Sequence, residues 1–216
     1  MTETNLGDIF DENYFKRYYK NYAAQNPKYK LCALINCIKK YKSAGKLLDV
    51  GCALGAFLNV AKNQGYSAQG CDVADFTVKH CSAYFDVKKC SITNLAYADS
   101  SFDVITVFDV IEHIQETALA FEELRRVAKK DGLIVFAVPV YDGVAGRIVR
   151  VIDKDPTHIN KWSRFEWLSI LHENFRVLEW QGILRYFFFG FFYLHYQTNW
   201  FRKFTPAIIV VCQNKK

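Results

Sequence analysis

Short apolar runs alternate with amphipathic stretches through the middle of the chain. The apolar runs are Lys46–Val50, Ser67–Cys71, Phe102–Phe108 and Leu133–Val138, and the amphipathic stretches between them are Leu54–Asn63, Phe76–Tyr84 and Thr117–Lys129. Runs such as VITVF and LIVFAV are typical of strands that are buried on both faces of a sheet. Strands that alternate with helices form a parallel sheet covered on both sides. The pattern therefore predicts an α/β fold with a doubly wound, Rossmann-like sheet.

Outside this core, the pattern predicts helices before it and mixed elements after it. Residues 8–42 contain two helix-like stretches rich in Tyr and Lys, separated at Asn26-Pro27. The later elements that we expect are a short helix around 144–152, a helix from the capping box Ser163–Glu166 to about His172, and strands over Phe175–Gly182 and Thr205–Cys212.

One stripe of aromatic residues runs along the first predicted helix. Its members are Phe15, Tyr18, Tyr19 and Tyr22, which are spaced i, i+3, i+4 and i+7 and so share one helix face. The stripe predicts packing against the edge of the sheet, with a lid over a bound ligand as the alternative.

Composition limits the chain to one ordinary domain and excludes several classes of protein. The 216 residues are 51% hydrophobic and 23% charged, which allows a sizeable core and is unlike a disordered chain. The formal net charge is +6, but the basic residues are dispersed, so we expect no nucleic-acid partner. The seven cysteines form no C-x-x-C pair, so we expect reduced thiols, no metal ion and a cytoplasmic protein.

The most apolar part of the chain is the aromatic segment Tyr186–Tyr196. It has about half of the ~20 residues that a transmembrane helix needs, and Gly190 interrupts it. Burial, as a strand or hairpin that extends the sheet, or a homodimer contact is the favoured interpretation, and the protein is then a monomer or a homodimer. Because Arg185, Arg202 and Lys203 flank the segment, contact with a membrane surface is the alternative.

The segment LLDVGCALGAFL, residues 47–58, indicates a ligand. An apolar strand runs into Gly51 and a helix follows, so the backbone can turn sharply and a ligand can lie against it. Asp49 precedes the turn and can order it by accepting hydrogen bonds from loop amides. Asp72 follows the next strand, 21 residues after Gly51, where an acid accepts hydrogen bonds from ribose hydroxyls. An adenosine-containing ligand is therefore indicated, and a glycine turn beside a solvent-exposed acid is the alternative.

The glycine spacing separates two kinds of adenosine ligand. A dinucleotide fingerprint needs a glycine two residues after the first, but that position is Ala53. The pair Gly51 and Gly55 fits another pattern better. A nicotinamide-dependent dehydrogenase is therefore the weaker alternative.

Five motifs, in order, resemble those of class I S-adenosylmethionine-dependent methyltransferases over roughly residues 45–140. They are Leu48-Asp49-Val50-Gly51-Cys52-Ala53-Leu54-Gly55, Gly70-Cys71-Asp72, Ser91-Ile92-Thr93-Asn94-Leu95, SFDVITVFDVIEHI (101–114) and DGLIVFAVP (131–139). The resemblance implies a seven-stranded, mostly parallel sheet whose last strand is antiparallel. It also implies one methyltransferase domain over residues 1–216, with a helical cap (1–44), a cofactor-binding core (45–139) and acceptor-side elements (140–216).

The same resemblance implies S-adenosyl-L-methionine as the cofactor. Its expected contacts are Gly51 and Gly55 at the methionine end, Asp49 at the turn, Asp72 at the ribose, Ser91 and Ile92 at the adenine, Phe108 near the sulfonium and Lys30 at the carboxylate. A lysine on a solvated helix face is the alternative for Lys30. Two positions depart from the family's pattern, since Ala53 replaces a glycine and Ser91 stands where an Asp is frequent. They leave open a partner subunit that binds the cofactor without catalysis.

Methyl transfer to a small-molecule acceptor is the activity that the resemblance implies, and we expect it at oxygen. A hydroxyl acceptor loses a proton, so a general base would assist the reaction. His113, after the fourth strand, and His158, in the connection after the fifth, are the two candidates. A histidine that caps a turn and a histidine exposed on a loop are the respective alternatives. The acceptor itself stays open, with lipid-derived and sugar-derived molecules among the candidates.

Overall fold

A single mixed sheet forms the centre of the computed structural model, which describes residues 7, 9–18, 21–153, 155–188 and 192–216. Its strands are β1 (Gly45–Val50), β2 (Tyr66–Asp72), β3 (Asp86–Lys89), β4 (Phe102–Phe108), β5 (Ala128–Pro139), β6 (Arg176–Phe188), β7 (Phe192–Thr198) and β8 (Ala207–Gln213). Their order across the sheet is β3-β2-β1-β4-β5-β8-β6-β7. Strands β1 to β5 run parallel, whereas β8 runs antiparallel to both β5 and β6.

Helices lie before the sheet, between its parallel strands and after β5. They are α1 (Glu12–Tyr18), α2 (Tyr22–Gln25), α3 (Lys28–Lys39), α4 (Ala56–Asn63), α5 (Asp75–Cys81), α6 (Thr117–Val127), α7 (Gly143–Ile152) and α8 (Arg164–Asn174), with 3-10 turns at Ile111–His113 and Arg202–Phe204. The predicted capping box starts α8, since Ser163 Oγ accepts from Glu166 N at 3.2 Å and Glu166 Oε2 accepts from Ser163 N at 2.7 Å.

Both faces of the sheet are buried, because successive residues of a strand point to opposite sides. On β1, Leu48 packs into one core and Leu47 into the other, and Phe136 and Val135 divide in the same way on β5. Helices α6 and α8 contribute to the first core, and helices α3 and α4 to the second. Within the described ranges, no helix has both the length and the apolar character needed to cross a membrane.

The predicted fold is confirmed, and the sheet has eight strands rather than the expected seven. The extra strand is β7, which pairs with β6 as an antiparallel hairpin inside the aromatic segment; residues 189–191 of that segment lie outside the described residues. The two edges of the sheet are β3, which no apolar run marks, and β7, which lies in the aromatic segment. An edge strand needs no continuous apolar run, and β3 is mostly exposed.

The strand order reverses between β1 and β4, and this reversal positions the site. Strand β1 pairs in parallel with β2 on one side and with β4 on the other. The connections that leave β1 and β4 therefore diverge to opposite faces, so a crevice opens at the carboxyl ends of these two strands. Gly51 directly follows β1 and Asp109 directly follows β4 at this edge.

Candidate functional site

Two adjoining cavities open at the reversal point. The larger has a volume of about 370 Å³ and extends from the glycine turn toward β6 and β7. The smaller, about 100 Å³, lies between the ends of β1 and β2 and the segment around Phe10–Phe15. The residues that line both are Gly51, Ala53, Asp109 and His113. The two cavities are therefore neighbouring parts of one site.

The backbone conformation and the close contact with Val110 both require glycine at position 51. Gly51 has φ 73°, and its N–H donates to Cys71 O at 2.8 Å. A Cβ atom at Gly51 would overlap Cγ2 of Val110. Ala53 also has a positive φ, 47°, in a region that non-glycine residues seldom occupy. The turn thus brings bare backbone to the cavities, and a side chain at Gly51 would displace Val110 as well as any ligand.

Asp49 and Asp72 lie on either side of the turn with different partners. Asp72 lines the smaller cavity, and its carboxylate accepts from Ala53 N at 2.9 Å and from Ala74 N at 3.0 Å. Burial raises the pKa of Asp72 against the effect of these hydrogen bonds. Asp49 accepts from Thr106 Oγ1 at 2.7 Å, and burial raises its pKa to about 7. Asp72 therefore braces the turn and faces the smaller cavity, as the sequence predicts for a ribose contact.

Apolar side chains form most of the wall of the smaller cavity. Phe10 contacts Tyr14 and His113 edge-to-face, with ring centroids 4.9 and 5.4 Å apart. Phe15 packs against Phe76 of α5 at 5.7 Å. These contacts place the segment Phe10–Phe15 over the smaller cavity. Tyr19, a member of the predicted stripe, lies outside the described residues.

The motif that the sequence predicts to contact adenine, residues 91–95, contributes one residue to the cavity wall. Ile92 is buried and lines the smaller cavity. Ser91 lines neither cavity, and its hydroxyl lies 3.0 Å from Thr93 Oγ1 and accepts from Thr93 N at 3.2 Å. The Ser91 side chain therefore holds its own turn.

Gly55 also lies outside both cavities. It precedes α4 with φ 76°, and a Cβ atom there would approach Phe85 to 2.9 Å and Cys81 Sγ to 3.2 Å. The close neighbours of Gly55 thus belong to the packing around α5. Its conformation is required at the start of α4.

A charged pair and a lysine line the larger cavity. Arg185 Nη1 donates to both carboxylate oxygens of Asp109 at 2.7 Å. Burial raises the pKa of Asp109, but the charges of Arg185 and Lys30 outweigh burial and hold this pKa below its usual value. Lys30 Nζ donates to Gln25 O and Asn26 Oδ1, both at 3.1 Å, and burial lowers its pKa to about 8. Lys30 is therefore a cavity residue and does not lie on a solvated helix face.

Glu112, His113 and His158 gather on one wall of the larger cavity. One ligand atom from each lies within 4.8 Å of the other two, and the two imidazole centroids are 4.7 Å apart. Burial and the neighbouring His158 lower the pKa of His113 to about 4. Glu112 is fully buried, and burial followed by the charge of Asp109 raises its pKa well above the usual value.

A carboxylate and a hydroxyl orient the two imidazole rings. His158 Nδ1 lies 2.8 Å from Asp153 Oδ2. Burial raises the pKa of Asp153, but the hydrogen bonds from Tyr141 and His158 lower this pKa to about 2. Asp153 is therefore ionised, so its Oδ2 accepts and His158 Nδ1 donates. His113 Nδ1 lies 2.9 Å from Thr157 Oγ1. Both rings are thus fixed through Nδ1.

The structure brings together most of the residues that the sequence predicts for the site. The predicted residues that line a cavity are Lys30, Asp49, Gly51, Asp72, Ile92, Phe108, His113 and His158. The two that line neither are Gly55 and Ser91. Sequence reasoning missed Asp109 and Glu112 as cavity residues, and it considered Arg185 only as a basic residue that flanks the aromatic segment. An arginine inside an aromatic strand was the available signal, since a buried guanidinium requires an acidic partner.

Comparison with known proteins identifies a family. A family model described as a methyltransferase domain matches residues 22–179. Phosphoethanolamine N-methyltransferase 3 from Arabidopsis thaliana is 33% identical over 104 residues, which are 44% of this chain and 21% of that protein. A 2-methyl-6-phytyl-1,4-hydroquinone methyltransferase from Synechocystis sp. is 31% identical over 100 residues, 42% of this chain and 31% of that protein. The chain matches only about a fifth to a third of the length of these curated relatives.

Solved structures share the fold over nearly the whole chain. An S-adenosylmethionine-dependent methyltransferase from Archaeoglobus fulgidus superposes with a TM-score of 0.68, over 91% of this chain and 99% of that one, at 17% identity. At this identity the similarity establishes the fold alone.

Proposed function

We propose an acceptor for an enzyme of known class: the chain belongs to the methyltransferase domain family and is an S-adenosylmethionine-dependent methyltransferase. The acceptor that we propose is a small molecule, methylated at oxygen. A nicotinamide-dependent dehydrogenase, the weaker alternative from the sequence, does not agree with this family. The two cavities at the carboxyl ends of β1 and β4 support a proposal for each half of the reaction.

The chemistry of the cavity walls fits S-adenosylmethionine. A flat adenine suits the apolar smaller cavity beside Ile92, and the Asp72 carboxylate there can accept hydrogen bonds from ribose hydroxyls. In the larger cavity, the backbone at Gly51 and the ammonium of Lys30 suit the amino-acid end of the cofactor. We propose these residues, with Asp49 and Phe108, as the cofactor-binding set.

The bound cofactor would supply an electrophilic methyl group on a sulfonium. The protein therefore has to position and orient the two reacting molecules and to exclude water. Phe108 lines the larger cavity and packs edge-to-face against Phe57 at 5.0 Å, which fixes its ring. An aromatic face stabilises a nearby cation. Phe108 is therefore proposed beside the sulfonium.

The histidine pair favours an oxygen acceptor. His113 and His158 line the larger cavity, and their Nδ1 atoms are engaged by Thr157 and Asp153, so Nε2 is the ring nitrogen left for an acceptor. A neutral amine needs no proton removed before it attacks a methyl group, whereas a hydroxyl does. We propose that this pair binds the acceptor hydroxyl and assists the loss of its proton.

An acceptor screen tests the proposal. The full chain is incubated with labelled cofactor and separate panels of phenols and hydroquinones, hydroxylated lipids, sugars and amines, and products are analysed by mass spectrometry. We expect a methyl ether from one of the hydroxyl panels. Methylated amines alone, with no product from the hydroxyl panels, would refute oxygen as the target and leave the enzyme class intact.

A further inference from the structure

We propose that Glu112, His113 and His158 bind one divalent metal ion, which holds the hydroxyl group of the acceptor. The role of the ion rests on the proposed oxygen acceptor, whereas its binding does not. The three side chains line the larger cavity and supply ligand atoms within 4.8 Å of one another. The sequence predicts no metal ion because its cysteines lack ligand spacing, but these ligands come from two segments that only the fold brings together.

The carboxylate of Glu112 lacks the partners that a buried acid requires. Its residue exposure is 0%, and neither carboxylate oxygen has a hydrogen-bond partner among the residues that the structure describes. Buried carboxylates are normally hydrogen-bonded, paired with a cation or bound to a metal. An ion at the centre of the cluster would supply the missing partner.

The two histidines present the ring nitrogen that a metal needs. Thr157 Oγ1 has one hydrogen, which it donates to Asp155 Oδ1 at 2.6 Å. His113 Nδ1, at 2.9 Å from the same hydroxyl, must therefore be the donor, so Nε2 carries the lone pair. His158 Nδ1 donates to Asp153 Oδ2 at 2.8 Å, which gives the same tautomer. Neither Nε2 atom is hydrogen-bonded by any part of the chain that the structure describes.

Hydrogen bonds around the cluster have the arrangement found behind metal-binding histidines. A carboxylate or hydroxyl that accepts from the second ring nitrogen fixes the ring and raises its basicity, and Asp153 and Thr157 are in these positions. The backbone also joins the two segments, because Glu112 O accepts from Asn160 N at 2.9 Å. Asn160 Nδ2 donates to Ile114 O at 2.6 Å. The loop with His158 is thus held against the turn with Glu112 and His113.

The donor set indicates an ion of the zinc, iron, cobalt or manganese type. Two imidazole nitrogens and one carboxylate oxygen form catalytic Zn²⁺ sites that keep one position open, whereas Mg²⁺ and Ca²⁺ prefer oxygen ligands. Bond lengths of ~2.0–2.2 Å would draw the three atoms to roughly 3.4 Å of one another. A rotation of the Glu112 side chain and a small shift of the His158 loop would be needed for this contraction.

The ion would act on the acceptor as a Lewis acid. A hydroxyl bound at the open position has a lowered pKa, so its proton leaves to solvent and the oxygen stays on the metal as an alkoxide or phenolate. The ion neither gains nor loses an electron. The histidines then assist proton loss through the ion instead of removing the proton themselves.

Cobalt binding tests the site without any acceptor. The full chain is stripped with chelator and titrated with Co²⁺, with visible absorption and calorimetry as readouts, followed by displacement with Zn²⁺. We expect one equivalent of Co²⁺ with a d–d band. Glu112→Gln and His158→Gln are expected to weaken binding by about 100-fold, since even loss of a residue behind a metal ligand costs ~10–100-fold. Glu116→Gln and His172→Gln, two exposed residues nearby in sequence, are the matched controls.

Two results would overturn the proposal: no stoichiometric binding of Co²⁺, Zn²⁺ or Mn²⁺, or binding that Glu112→Gln and His158→Gln both leave unchanged. S-adenosylhomocysteine affinity is measured on the same proteins. It is expected to stay within about 3-fold in His158→Gln, so a failed metal site is distinguishable from a failed cofactor site. His158 is on a loop, so this variant keeps the test valid if Glu112→Gln does not fold.

A separate surface leads to a second proposal: helix α7 docks on an anionic lipid surface. Val144, Ile148 and Val151 form one stripe on α7 and are 75%, 50% and 81% exposed. The turn Arg202–Phe204 packs beside the helix and adds Phe204, which is 73% exposed. These side chains form one apolar patch, unlike the scattered apolar residues of an ordinary surface.

Charge decides which partner fits this patch. Helix α7 has the sequence GVAGRIVRVI, with two arginines and no acidic residue. Arg147, Arg150 and Lys203 are all exposed around the apolar stripe. An amphipathic helix with a basic border is typical of segments that lie in the interface of a membrane with anionic lipids. Arg185, one of the three basic residues that left membrane contact open in the sequence, instead pairs with Asp109 in the larger cavity.

Vesicle sedimentation tests this docking. The full chain is mixed with vesicles of phosphatidylcholine alone or with one quarter phosphatidylglycerol. We expect binding to the anionic vesicles that falls about 10-fold in Val144→Ser/Val151→Ser and in Arg147→Gln/Arg150→Gln, and persists in Tyr84→Ser, an exposed residue near the opposite edge of the sheet. Equal binding to neutral and anionic vesicles would overturn the proposal. So would a parent protein that binds no vesicles but forms a dimer that Val144→Ser/Val151→Ser disrupts.

Discussion

Asp49 and Asp72 show how two residues of the same type take different parts at one turn. Asp49 is the deeper of the two, with one hydrogen bond from Thr106. Asp72 accepts two backbone N–H groups and lines the smaller cavity. Burial of the Asp49 carboxylate therefore lowers the stability of the fold. The Asp72 carboxylate has hydrogen-bond partners and also faces the cavity, where a ligand can reach it. Each difference gives a prediction.

Replacing Asp72 by Asn is expected to weaken cofactor binding. The amide keeps the size of the side chain but accepts hydrogen bonds less strongly than a carboxylate, and the expected loss is ~1–3 kcal/mol, or roughly 5-fold to 150-fold in Kd. Calorimetry with S-adenosylhomocysteine measures it. Asp75→Asn is the control, because Asp75 is exposed and pairs with Lys89 at 2.7 Å. Equal affinity in both variants would remove Asp72 from the binding set.

Replacing Asp49 by Asn is expected to stabilise the protein at neutral pH. Burial raises the pKa of Asp49 from 3.8 to about 7, so between these values the folded state binds more protons than the unfolded state. This contribution to the free energy of unfolding is full below pH 3.8 and is lost as pH rises through 7. The Asn side chain does not titrate, so the variant does not lose this contribution as the pH rises. Its amide oxygen can still accept the hydrogen bond from Thr106. The variant's gain over the parent is expected to grow toward about 4 kcal/mol as the pH rises.

Denaturant unfolding at pH 4.5 and pH 7.5 measures this difference. The prediction is a gain for Asp49→Asn that is several times larger at the higher pH. A difference between variant and parent that is the same at both values would mean that Asp49 does not titrate in this window.

At the scale of elements, a hydrogen-bonded chain connects α1 to the cavity wall that contains His113. Tyr14 OH donates to Asp155 Oδ2 at 2.5 Å, and Asp155 Oδ1 accepts from Thr157, which holds His113. The element that covers the smaller cavity is therefore coupled to the orientation of a proposed catalytic residue. This arrangement favours the lid interpretation of the N-terminal helices.

Removal of one hydroxyl tests that coupling. Tyr14→Phe is expected to weaken S-adenosylhomocysteine binding by about 5-fold to 30-fold, because the lost hydrogen bond to a carboxylate contributes ~1–2 kcal/mol to closing the cavity. Limited proteolysis should also cut the N-terminal segment faster. Tyr41→Phe loses a similar bond to Glu179 on the surface and serves as the control. Unchanged affinity and cleavage in Tyr14→Phe would contradict the lid.

The glycine at the start of α4 gives a second prediction for an element. Gly55→Ala and Gly65→Ala both place a side chain at positive φ, 76° and 94°, but only the first meets neighbours within 4 Å. We expect Gly65→Ala to cost ~1 kcal/mol and Gly55→Ala at least twice that. Urea unfolding measures both. Equal costs would show that Phe85 and Cys81 yield without strain.

At the scale of the whole molecule, sequence patterns predict best the strands that are buried on both faces of the sheet. Strand β4 lies between two covered faces, so its residues Phe102–Phe108 form one apolar run and are predicted to the residue. The edge strand β3 has no such requirement, which is why its sequence gave no clear signal. The glycine turn and Asp72 were predictable because a local motif contains them.

The rest of the site could not be predicted because its partners are distant in sequence. Arg185 is 76 residues from Asp109, and no local pattern joins them. Glu112 is next to a predicted histidine, but its complete burial depends on how the loop around Asn160 closes over it. Such groups become visible only when the fold brings β4, β6 and the loop after α7 to the same edge.

A crystal structure of the full chain with S-adenosylhomocysteine tests the central claim most directly. The account predicts the ribose within hydrogen-bond distance of the Asp72 carboxylate, the adenine beside Ile92 and the amino-acid end against the backbone at Gly51. A ligand bound elsewhere, or a ribose out of reach of Asp72, would contradict it.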